Sequence, residues 1–275
     1  MTRFYALFVF VLLSLSSYSQ NNSIPYGNNP QAGNYIAVNG IKLYYEIYGK
    51  GEPLLLFHGN GGNTSTQKNR IEFFSKHYKV IAIDSRAQGK STDDLDIPLT
   101  YQQMSEDINS LMDTLHIQQA YMWGQSDGGI LGILLAINHP EKVKKLATFG
   151  LNVSPGEKAI PQEIREMVMD TLTNTKSVKI KRLYSLLAYQ PNSSLEDLHK
   201  IKCPVMLMVG DRDIIKIEHT LSIFNNIDNS NLFVMPGATH LGAYEKPDIF
   251  NMVLWGFFKN PFSKVSSVEL FAGKK

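Results

Sequence analysis

Ala120-Tyr121-Met122-Trp123-Gly124-Gln125-Ser126-Asp127-Gly128-Gly129-Ile130 is the stretch on which the reading of this chain turns. Its first four residues are a short apolar run of the kind expected for a strand buried on both faces. Gly124 to Gly128 matches G-x-S-x-G, and Ile130 to Ile137 is apolar enough for a buried helix. Strand, tight turn and helix are the setting this motif requires, because a nucleophile on a strained turn needs small neighbours. Glycines at 124, 128 and 129 meet that need.

Outward from the elbow, the same alternation recurs. Pro53-Leu54-Leu55-Leu56-Phe57 ends at His58-Gly59, and similar runs occur at Val80–Ile83, Leu146–Phe149, Val205–Val209 and Leu232–Met235. Upstream, Tyr35–Val38 and Ile41–Tyr48 flank Asn39-Gly40, a two-residue hairpin signal. Gln102 to Leu115 places Ile108, Leu111, Met112 and Leu115 on one helical face. An antiparallel start followed by strand-helix repeats predicts an α/β fold, a mostly parallel sheet with helices on both faces. From about residue 152 to 202 the strand pattern stops. Pro161–Leu172 and Val178–Leu187 are helical, so this interval is expected to cap the carboxyl edge of the sheet, where ligands of such sheets bind.

A serine hydroxyl is a weak nucleophile until a positioned base takes its proton. Seven histidines compete for that role. His77, His116, His139, His199 and His219 lie on or beside predicted helices among polar residues and read as surface groups. His240 stands just after the last strand, in Pro236-Gly237-Ala238-Thr239-His240-Leu241-Gly242, and is the candidate base. Its orienting carboxylate is expected from Val209-Gly210-Asp211-Arg212-Asp213. Asp213 is preferred because Ile214-Ile215 can pack the turn and aim it, whereas Asp211 suits a turn that bonds its own backbone. Two backbone donors for an oxyanion are expected from Asp127, at the helix start, and Asn60, in His58-Gly59-Asn60-Gly61-Gly62. His58 then orients that loop. Asp127 also has a candidate substrate-binding role, its carboxylate facing the pocket and pairing with a cationic group; the other reading is a first-turn acid favoured by the helix dipole.

The composition is globular, and a net charge of +2 gives no reason to expect a nucleic-acid partner. A single cysteine, Cys203, excludes an intramolecular disulfide and a multi-cysteine metal site. No cofactor and no metal are expected. Arg3, the apolar run Phe4–Leu15 and Ser17-Tyr18-Ser19 read as a signal peptide over residues 1–19, cut near Ser19. The alternative is an uncleaved anchor, but the run is short of the roughly 20 residues needed to span a bilayer. Residues 20–33 read as a flexible lead-in, and 34–275 as one domain carrying the cap.

With these residues in view, the chain resembles the α/β-hydrolase fold superfamily, over about residues 34 to 260. The His58-Gly59 turn, Asp84-Ser85-Arg86-Ala87-Gln88-Gly89-Lys90-Ser91, the elbow, Gly210–Asp213 and His240 fall in the family's order. Ala87 stands where the family usually has glycine. The stretch Gly124–Ile130 is similar to the biphenyl-hydrolase-like branch, which includes esterases of α-amino-acid esters, and Ser126 replaces the aspartate nucleophile of haloalkane dehalogenases and epoxide hydrolases. The resemblance implies an eight-stranded sheet with a small helical cap. It also implies a serine hydrolase acting on a small-molecule ester or amide, with Asp213 as the triad acid; the leader adds the expectation that it is secreted or periplasmic. Aminopeptidase-like and haloperoxidase-type activities share the fold, and a catalytically silent binding domain is the alternative from another class. Met167, Met169, Leu172, Leu183, Tyr184, Leu187 and Tyr189 are the expected pocket walls. Oligomeric state is not legible.

Overall fold

A computed structural model describes residues 24–273. The proposed signal peptide lies outside them. The elements run β1 (Gly33–Val38), β2 (Ile41–Tyr48), β3 (Pro53–Phe57), α1 (Lys68–Phe74), β4 (Lys79–Ile83), α2 (Tyr101–Thr114), β5 (Ala120–Gln125) and α3 (Asp127–Asn138). They continue with β6 (Val143–Phe149), α4 (Gln162–Asn174), α5 (Val178–Tyr189), β7 (Val205–Gly210), α6 (Ile217–Asn225), β8 (Ser230–Met235), α7 (Gly242–Glu245), α8 (Pro247–Lys259) and α9 (Ser267–Phe271). Eight strands form one sheet in the order β1-β2-β4-β3-β5-β6-β7-β8. The hairpin strands pair antiparallel, and β2 meets β4 antiparallel; all other neighbours are parallel.

The continuous apolar runs have a direct cause. Alternate residues of β3 enter opposite cores: Leu55 and Phe57 join Met122, Leu131 and Leu207 on one face, and Leu54 and Leu56 join Trp123, Phe250 and Phe258 on the other. Leu54 to Phe57 are each at most 1% exposed, and full burial of such side chains is worth about 1.5–3 kcal/mol apiece. Parallel pairing then sends the carboxyl ends of β3, β5, β6, β7 and β8 to one edge. Among the described residues, no helix is long and apolar enough to cross a membrane.

The described part of the lead-in differs from the flexible segment expected. Glu46, fully buried on β2, accepts hydrogen bonds from the backbone N–H groups of Gly27 (2.8 Å) and Asn29 (2.9 Å) and from the hydroxyls of Tyr44 and Tyr48. A buried carboxylate needs such donors, and only the folded-back chain supplies the first two. Ala87 has φ +66°, a left-handed conformation that costs a residue with a Cβ about 1–2 kcal/mol. That is the physical reason glycine is usual at this turn.

Candidate active site

Ser126 occupies the N-cap of α3 with φ +52° and ψ −120°. Such backbone is costly for a residue with a side chain, and the close fit of neighbouring segments holds it there. A Cβ on Gly124 would lie 2.1 Å from the Gly128 carbonyl oxygen, and one on Gly128 would lie 2.4 Å from that of Phe57. Helix and strands therefore meet backbone to backbone. Ser126 does not cap its own helix. Its hydroxyl donates instead to His240 Nε2, at 3.0 Å.

His240 Nδ1–H donates to Asp213 Oδ1 at 2.7 Å, which fixes the tautomer with Nε2 as acceptor. The Asp213 side chain is fully buried, and its Oδ1 also accepts the Ile215 backbone N–H at 2.9 Å. Ile215, 3% exposed, packs the turn as expected. Asp211 is exposed and has no bond to His240. Thus the structure brings Ser126, His240 and Asp213 into one hydrogen-bonded line and leaves Asp211 outside it.

The loop after β3, which carries one of the two expected oxyanion donors, lies against the nucleophile. The backbone N–H groups of Asn60 and Asp127 have no backbone partner among the described residues. Gly59 brings the loop against the nucleophile, since a Cβ on it would lie 3.3 Å from Ser126 Cβ. His58 is buried; its Nδ1–H donates to Gly59 O at 2.8 Å, and its Nε2 accepts the Ser85 N–H at 3.0 Å. Burial pushes its pKa down, keeping it a neutral spacer between two loops. Gly61 N–H is held by Gln88 Oε1 at 2.6 Å.

Asp127 departs from the substrate-binding role expected. The residue is 2% exposed, and its carboxylate accepts the Asn60 side-chain amide at 2.9 Å and is not on the wall of the cavity above Ser126. The nearly buried Tyr101 phenol faces it without the alignment of a full hydrogen bond. Desolvation raises the Asp127 pKa to about 6, against the lowering effects of Asn60, Tyr101 and His240. A cation would have to displace Asn60 to reach it.

His219 is a second correction. It is 6% exposed, and its Nε2 accepts the Val153 N–H at 3.1 Å; burial lowers its pKa to about 4. Polar neighbours in sequence concealed a histidine that ties α6 to the loop after β6. Two contributors to the site had no clear sequence signal. Gln125 donates its amide to the His240 carbonyl at 3.0 Å. Gly150, at φ +62°, leaves room for the imidazole, since a Cβ there would lie 2.7 Å from the His240 ring.

A cavity of about 540 Å³ opens above Ser126 and His240. Ile160, Ile164, Met167, Leu187, Ile214 and Ile215 give it apolar walls, with Glu157, Gln162 and Arg165 among the polar lining residues. Of the expected walls, Met167, Met169 and Leu187 line it. Leu172 and Leu183 are instead among the buried residues of the cap helices themselves, and Tyr184 and Tyr189 lie off its wall.

The family model for the alpha/beta hydrolase fold matches residues 52–167. The chain is similar to the serine hydrolase BPHL of Mus musculus, 25% identical over 248 residues, covering 82% of this chain and 85% of that protein. It is also similar to the putative carbamate hydrolase RutD of Azorhizobium caulinodans, 23% identical over 254 residues, covering 78% of this chain and 94% of that one. The crystal structure of the enol-lactonase from Burkholderia xenovorans superposes with a TM-score of 0.70 at 22% identity, covering 82% of this chain and all of that one.

Proposed function

The chain belongs to the α/β-hydrolase fold superfamily, and on that premise we propose that it is a serine hydrolase cleaving a small ester or amide through an acyl-enzyme intermediate. The Ser126–His240–Asp213 line carries the proposal. His240 Nε2 takes the hydroxyl proton as Ser126 Oγ attacks the substrate carbonyl carbon. Asp213 holds the imidazole and stabilises the imidazolium that forms. The Asn60 and Asp127 N–H groups receive the oxyanion. His240 then returns the proton to the departing alcohol or amine. A water, deprotonated by the same imidazole, cleaves the acyl-enzyme and restores Ser126.

The cavity's apolar walls favour an uncharged, apolar acyl or leaving group, and its size suits a small molecule. The names of the relatives, a carbamate hydrolase and an enol-lactonase, are compatible with chemistry at an acyl carbon. Export is part of the same proposal, and rests on the Arg3–Ser19 pattern alone. Mass spectrometry of the exported protein is expected to give an N-terminus at Gln20; intact Met1–Ser19 in a membrane fraction would instead support an anchor. The chemistry is tested by labelling with a fluorophosphonate, which requires an activated serine. Stoichiometric labelling lost in Ser126→Ala is the expected result. A folded protein that does not label would be the silent binding domain.

A further inference from the structure

Asn60 and Asp127 are the two residues whose backbone N–H groups are the proposed oxyanion donors, and their side chains are bonded to each other. Asn60 Nδ2 donates to Asp127 Oδ2 at 2.9 Å, linking the loop after β3 to the start of α3 across 67 residues of sequence. The same Nδ2 donates a second, longer bond to the Leu183 carbonyl oxygen of cap helix α5, at 3.3 Å. We propose that this amide–carboxylate pair is a staple that sets the spacing of the two oxyanion donors, with Asn60 and Asp127 acting as positioning residues through their side chains and the cap fastened to the same point. The proposal rests on the serine-hydrolase reading above.

Three observations support it. An ionised carboxylate beside a developing oxyanion is electrostatically adverse, so Asp127 calls for an offsetting gain. The carboxylate is bonded to Asn60, lies beside Tyr101 and is not on the cavity wall, so substrate binding is not the source of that gain. An acid is also the acceptor that fixes an amide in one orientation, because a carboxylate offers no donor and cannot pair with Asn60 the other way round. The rest of the loop is already pinned by His58 and Gln88. Asn60 is the one segment of it whose position the staple controls. Donors a few tenths of an ångström out of place weaken the transition state and leave ground-state binding nearly intact.

The test measures kcat and KM on p-nitrophenyl acetate, an uncharged ester, with folding checked by circular dichroism. Asn60→Ala and Asp127→Ala are each expected to lower kcat roughly 10- to 100-fold while KM moves less than about threefold. The double variant is expected to fall no further than the worse single, because both remove one bond. Asn60→Asp sets two carboxylates together and is expected to lose most. Adding Asp127→Asn to it restores a donor–acceptor pair with reversed polarity and is expected to recover at least tenfold. Multiplicative losses in the double variant, a change confined to KM, or no recovery in the reversed pair would overturn the staple. Fluorophosphonate labelling of the parent protein separates the two levels. Without it the serine-hydrolase reading fails and the staple falls with it; with it, the kinetics judge the staple alone.

Discussion

At the sheet edge, the side chains that meet Ser126 are held by buried structure, whereas the cap above them rests on little. Ten of the twelve residues of α3 are buried, and the Asp213 side chain has no exposure. In the cap, α4 buries only Val168 and Leu172, and α5 only Leu183 and Leu186. Met167 and Met169 on α4 are 52% and 42% exposed. The two cap helices pack mainly on each other, and polar contacts tie them to the body. These include the Arg182–Asp93 ion pair and the Gln190 side chain, which bonds Leu99 O and Tyr101 N–H, each at 3.2 Å. On the proposed mechanism, the difference separates two tasks. Proton transfer tolerates little positional error, so its groups sit on the rigid edge; substrate choice sits on an element whose surface can change without disturbing them.

If that division holds, the largest losses come from the edge. Ser126→Ala and His240→Ala are each expected to lower kcat on the order of a millionfold, with the double variant little worse, because they act as a unit. Asp213→Asn is expected to cost roughly 10⁴-fold by disturbing the tautomer, while Asp211→Asn stays within about twofold. Steady-state kinetics on an ester decide this, and a larger loss for Asp211→Asn would refute the acid assignment. Gly150→Ala comes next. It adds a methyl 2.7 Å from the His240 ring at a φ of +62°, and a displaced base is expected to reduce kcat roughly 100-fold. Wild-type kcat in that variant would mean that the edge is less rigid than its packing implies.

Much of this edge was legible in the sequence because strand runs, glycine turns and the Ser–Asp–His order are local signals. All eight strands and both principal cap helices lie where periodicity places them. What escaped depends on contacts between distant segments. Gln125 occupies a variable position of G-x-S-x-G, yet it holds the His240 loop across 115 positions. Glu46 sits in a strand of mixed character, and nothing near it in sequence announces that Gly27 and Asn29 will satisfy it. His219 was misread for the same reason: local polarity indicated solvent, and tertiary burial decided otherwise. Of the two readings of Asp127, burial disfavours the pocket-facing one.

Those two buried groups give the comparison a pH signature. His219 titrates near 6.5 when unfolded, and the fold lowers it to about 4. The unfolded chain therefore binds the proton more tightly between those values. His219's contribution is complete above about pH 6.5 and is lost as pH falls toward 4. Asp127, raised to about 6, works the other way. The fold holds its proton more tightly, so stability falls as pH rises from about 4 to 6. Urea unfolding at pH 7 and pH 5 is expected to show that His219→Gln loses less stability on acidification than the parent, by about 2 kcal/mol. An identical pH response in the two proteins would show that burial at α6 is not what keeps this histidine neutral.

Small effects are expected in the cap, and they test the division from the other side. Met167 and Leu187 both line the cavity, but Met167 is half exposed, so truncating it removes little buried surface. At about 25 cal/mol per Å² of apolar area, its loss weakens contact with a long acyl chain by under about 1.4 kcal/mol, or less than tenfold. Met167→Ala and Leu187→Ala are therefore expected to shift the kcat/KM ratio of p-nitrophenyl octanoate to acetate by roughly three- to tenfold. The change should arise mainly in KM for the octanoate, because the cap supplies binding that is equal in ground and transition states. Labelling by a small fluorophosphonate reports on Ser126, His240 and the oxyanion donors without using the far end of the cavity. Its rate should change by less than about twofold in either variant. If truncation in the cap slows that labelling as much as Gly150→Ala does, the cap is part of the catalytic geometry, and the separation of the two regions fails.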